Sequence, residues 1–101
     1  MGKIDFKHIA REALDQSLPL LMEFLPGGRI QGQEYIVRNP TRKDRRAGSF
    51  SINLMTGRWC EFATGERGGD LISLVAYIKV LPQGEAAREL ARMMWGKNAA
   101  H

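Results

Sequence analysis

The sequence predicts an α+β fold, with a small three-stranded antiparallel sheet flanked by helices that precede and follow it. Three observations lead there. Apolar residues recur at helical spacing before Pro26 and again after Asp70. Between them, residues 34–38, 49–54 and 58–62 alternate apolar and polar side chains and are rich in β-branched and aromatic types, as strands are. Glycine-rich breaks, "PGG" and "GERGGD", separate the blocks. At 101 residues the chain suits one domain, divided into helical support (1–28), a strand region (29–69) and a C-terminal helix pair (70–96).

Each element has its own signal. Phe6, Ile9, Ala10, Ala13 and Leu14 mark an amphipathic first helix, with Asp5 as N-cap. Pro19 interrupts that pattern, so a second short helix capped by Ser17 is expected to end at "FLPGG". The link "NLMTG" suits a hairpin with a left-handed residue at Gly57, which makes the last two strands antiparallel neighbours. The link "NPTRKDRRAG" is longer, polar and basic, and reads as a solvent-exposed loop. Asp70 caps a helix with Leu71, Leu74, Val75 and Ile78 on one face, stopped by Pro82. A last helix over 83–95 buries Ala87, Leu90, Ala91 and Met94, ends at Gly96, and packs on its predecessor as a hairpin. Met93, Met94 and Trp95 read as core residues or as a docking patch for a neighbouring domain.

Composition narrows the function classes. With 44% hydrophobic and 26% charged residues this is an ordinary globular chain. No apolar run approaches the roughly 20 residues that span a bilayer, and the N-terminus lacks a secretory pattern, so a cytoplasmic protein without membrane contact is expected. The single Cys60 reads as a buried, inert thiol, and with His8 and His101 it makes no zinc set. Charge is localised: residues 29–67 hold eight basic and four acidic residues, which accounts for the whole net charge of +4. That segment alone would attract a polyanion.

The middle of the chain has a recognisable order: Tyr35, then "NPTR", a basic loop, Ser49-Phe50, an alternating strand, "EFAT", Gly68-Gly69 and an apolar helix. Over residues 35–78 it resembles the zinc-binding domain at the N-terminus of bacterial and phage DNA primases. That family has Cys-Pro-X-His where this chain has "NPTR", and Cys-X-X-Cys where it has "EFAT". The resemblance lays the four zinc ligands on Asn39, Arg42, Glu61 and Thr64, which cannot make a soft tetrahedral site. It therefore implies a zinc-ribbon-like fold without zinc and no cofactor. An Arg42–Glu61 ion pair, with Asn39 and Thr64 bonding nearby, would join the two knuckles in place of the metal. Two unrelated surface charges are the alternative.

The resemblance further implies a non-catalytic module that binds single-stranded DNA template, in replication of a phage or other mobile element. RNA is the other candidate strand, and a replicative helicase or a primase catalytic domain the expected protein partner. The residues themselves point the same way. There is no acidic cluster for two magnesium ions and no nucleophile beside a base, so no enzyme is expected. Arg38, Arg42, Lys43, Arg45, Arg46, Arg58 and Arg67 would meet phosphates. Alternation on the last strand, with Cys60 and Phe62 taken as core, turns Trp59 outward as a base-stacking candidate; a core tryptophan is the other reading. Ser49 and Ser51 would add hydroxyls, whereas "GERGGD" matches no nucleotide fingerprint and reads as a turn. The alternative function is a protein-interaction or inhibitor module that reuses the same scaffold.

Overall fold

A computed structural model describes residues 4–41 and 50–96. Two helices, α1 (Phe6–Asp15) and α2 (Ser17–Phe24), lead into five strands: β1 (Arg29–Gln31), β2 (Glu34–Val37), β3 (Phe50–Asn53), β4 (Trp59–Glu61) and β5 (Arg67–Gly68). Helices α3 (Leu71–Lys79) and α4 (Gln83–Trp95) follow. The α+β class stands, but the sheet has five strands rather than three, in the order β1-β2-β3-β4-β5 with every neighbouring pair antiparallel.

The two extra strands lie at the edges. A two-residue turn, Gly32-Gln33, folds β1 onto β2, and Gly32 has the positive φ of 61° that such a turn asks of its first residue. β1 is exposed throughout, so it lacks the alternation that marks a half-buried strand. β5 is only two residues long and lies within "GERGGD".

The helices behave largely as their caps dictate. The Asp5 side chain accepts from the His8 N–H, and Asp70 with Ser73 forms a reciprocal capping box at α3. α3 ends with Val80 in the left-handed conformation, two residues before Pro82. Ser17 is the first residue of α2 rather than its cap, and its Oγ donates to the Leu54 carbonyl, which ties the helix to the sheet. Pro19 lies in the first turn of α2, where the missing N–H has no intrahelical partner to lose. The α3–α4 hairpin is bridged by Lys79 and Glu89 at 3.0 Å, with Arg92 on the other Glu89 oxygen. Arg92, then Lys79, holds the Glu89 carboxyl below its usual range, so its stabilising effect is present at neutral pH and fades as pH falls through that lowered pKa.

One face of the sheet and the helices share one core. Tyr35, Val37, Phe50, Ile52 and Trp59 from the sheet join Ile9, Leu21, Leu25, Leu71, Leu74, Val75 and Leu90 from the helices. The Tyr35 hydroxyl donates to the Leu25 carbonyl at 2.6 Å and so fixes the end of α2 against β2. At the other end of the core, Phe6 and Trp95 are partly exposed, with Trp95 stacked on His8. Met93 and Met94 pack against the core from its edge.

Candidate nucleic-acid interface

Register assigns every strand side chain to a face. Ile30, Tyr35, Ile52, Trp59 and Gly68 form one cross-strand row, and Tyr35, Ile52 and Trp59 are buried. The expected orientation of β4 is therefore inverted. Trp59 is 6% exposed, stacks on Tyr77 with ring centroids 4.9 Å apart, and donates its indole N–H to Ser73 Oγ at 2.9 Å. Gly68 makes room for it, since a Cβ there would collide with the indole nitrogen and with Ser73 Oγ. Trp59 thus fails as an outward stacking residue. It pairs with Ile52, already committed to the core, and its N–H finds a partner there.

The inversion turns Cys60 and Phe62 to the opposite face. Cys60 is only half-buried, contrary to the buried thiol expected, and Phe62 is 67% exposed. On this face a second row crosses the whole sheet: Arg29, Ile36, Ser51, Cys60, Arg67. At ~4.8 Å between strands it spans roughly 19 Å, with an arginine at each end. Beside it lies a groove of about 690 Å³ lined by Glu34, Ser51, Arg58, Cys60, Phe62 and Arg67. Among the described residues of this face, Arg29, Arg58 and Arg67 outnumber the one carboxylate, Glu34, which leaves an excess of positive charge.

The sequence-derived site residues divide accordingly. Arg58 and Arg67 meet in the groove. Arg38 is exposed but lies elsewhere, in a hollow with Phe24, Pro26, Val37 and Pro40. Ser51 faces the groove, yet its hydroxyl is bonded to Glu34. Arg42, Lys43, Arg45, Arg46 and Ser49 lie outside the described residues. Three contributors were missed: Arg29, because β1 was not recognised, Phe62, because it was placed in the core, and Glu34, because an acidic residue gives no sign of polyanion binding.

A separate polar cluster occupies the positions onto which the resemblance lays zinc ligands. Asn39 is 2% exposed and Glu61 fully buried, and Asn39 Nδ2 donates to Glu61 Oε2 at 2.7 Å. The same amide donates to the Tyr77 hydroxyl at 2.9 Å, while Asn39 Oδ1 accepts from the Thr41 N–H and hydroxyl. The Tyr77 hydroxyl donates to Glu66 Oε1, which also accepts from Thr64 Oγ1. Asn39, Glu61 and Thr64 thus belong to one network that ties the end of β2 to the turn after β4 and to α3. The proposed Arg42–Glu61 pair falls outside the described residues. These side chains do not fit zinc. No thiolate or imidazole is among them, and Asn39 turns a donor, not a lone pair, toward Glu61. Among the described residues, no group of three or more His, Cys, Asp or Glu could hold a metal ion.

No helix of the described residues is long and apolar enough to cross a membrane. No protein-family model matches the chain, and no curated protein matches it at a significant level.

Proposed function

We propose that this chain is a non-catalytic, primase-type module that binds single-stranded DNA on the open face of its sheet, in replication of a phage or mobile element. The observation that carries the proposal is the groove itself. It joins cations for phosphates, Arg58 and Arg67, with an exposed aromatic ring, Phe62, on which a base can stack. The row from Arg29 to Arg67 is long enough for about three nucleotides, comparable to the two or three bases seated on a four-stranded RNA-recognition sheet. The polar cluster supports the kinship with primase zinc domains, because it crosses between the same two knuckles that zinc would join. A replicative helicase or primase catalytic domain is the proposed protein partner.

Phosphate contacts release counterions, so log K falls with log salt by about 0.7 for each phosphate neutralised on a single strand. Fluorescence anisotropy of a labelled single-stranded oligonucleotide, titrated over a range of salt concentrations, should give a slope of about −2 or steeper if Arg29, Arg58 and Arg67 each neutralise one phosphate. Absence of binding at low salt would remove the proposal. The chain would then be read as a protein-interaction module on the same scaffold.

A further inference from the structure

The groove contains one feature that phosphate binding does not explain: a carboxylate within an arginine-lined site. Glu34, on β2, is held by two hydrogen bonds from β3, from Ser51 Oγ to Oε1 at 2.5 Å and from Asn53 Nδ2 to Oε2 at 2.7 Å. None of the ion pairs among the described residues includes Glu34, so no arginine holds its carboxylate in direct contact. A carboxylate only weakens a site meant for phosphate alone. Its two oxygens offer about four lone-pair sites, of which Ser51 and Asn53 use two. The acceptors that remain are held in place by β3, on the same groove that the exposed Phe62 ring lines.

The geometry points to Glu34 as a base-reading residue, which accepts a hydrogen bond from the exocyclic amino group of a base stacked on Phe62. This rests on the single-stranded DNA reading above and adds a base preference to it. Cytosine presents an N4 amino donor where thymine presents the O4 acceptor, so the two pyrimidines differ at the atom that a carboxylate discriminates. A carboxylate facing O4 would bring two acceptors together with no proton between them. The site should therefore favour cytosine over thymine, with phosphate contacts unchanged between the two.

The test compares labelled dC10 and dT10 at mildly alkaline pH, where cytosine stays unprotonated, with the wild-type chain and with Glu34→Gln. Glutamine keeps the shape and an acceptor oxygen but removes the charge and adds an amide donor that O4 can accept. The wild-type chain should bind dC10 about tenfold more tightly than dT10, within the range of a single good base contact. Glu34→Gln should erase that preference while leaving affinity for dT10 equal or higher. Equal, salt-sensitive binding of both strands by the wild-type chain would overturn the base-reading role and leave DNA binding standing. A cytosine preference unchanged in Glu34→Gln would also overturn it. Failure to bind either strand would remove both readings. The wild-type comparison needs no variant, so a folding defect in Glu34→Gln would not obscure it.

Discussion

Asn39→Ala is expected to lower the free energy of unfolding by about 3 kcal/mol, because the amide serves a buried carboxylate and a tyrosine hydroxyl together. A hydrogen bond to a charged group contributes about 1.5–3 kcal/mol, and loss of the Tyr77 and Thr41 bonds adds to it. For a domain of this size the change corresponds to a drop in Tm of roughly 12–24 °C. Urea unfolding followed by tryptophan fluorescence measures it directly. Asn39→Asp sharpens the test, since it sets a second carboxylate against Glu61. That change replaces a donor with an acceptor at the Glu61 carboxylate and should destabilise the fold at least as much as Asn39→Ala. A loss below about 1 kcal/mol for Asn39→Ala would show that the cluster does not join the two knuckles.

Replacing Arg58 and Arg67 together by alanine is expected to have the largest effect on binding. Each arginine removed takes away one phosphate contact, so the salt slope should become shallower by about 1.4. Phe62→Ala should act differently, weakening binding by about 1–3 kcal/mol while the slope stays the same. All three side chains line the groove on the open face, so neither change should disturb the core that Tyr35, Ile52 and Trp59 build on the other side. A uniform weakening with identical slopes for both variants would mean that the arginines do not touch phosphates. The two results separate the electrostatic from the stacking part of the site.

How much of this was legible in the sequence depended on whether a signal was local. Asp70 as a cap, the stop before Pro82 and the left-handed Gly57, with φ of 81°, are set by neighbours in the chain and were read correctly. β1 was not legible because three exposed residues carry no alternation, and β5 because two residues show no period. The phase of β4 was misread for a more instructive reason. Hydrophobicity alone favours Cys60 and Phe62 as the inward pair over Trp59 and Glu61. The buried Glu61 is satisfied in part by Asn39, 22 positions earlier in the chain, whose amide reaches across to its carboxylate. Such a contact between distant residues leaves no mark on local alternation, and with it went the correct face of Trp59 and Phe62.

The open sheet face, not the helical side, is expected to receive single-stranded DNA. Amide chemical-shift mapping of the isotope-labelled chain with an unlabelled single-stranded octamer tests it most directly. Among the described residues, the largest shifts should fall on Ile36, Ser51, Cys60, Phe62 and Arg67, while the amides of α1 and α4 stay in place. Shifts concentrated on α1 and α4, or none at saturating DNA, would contradict the account.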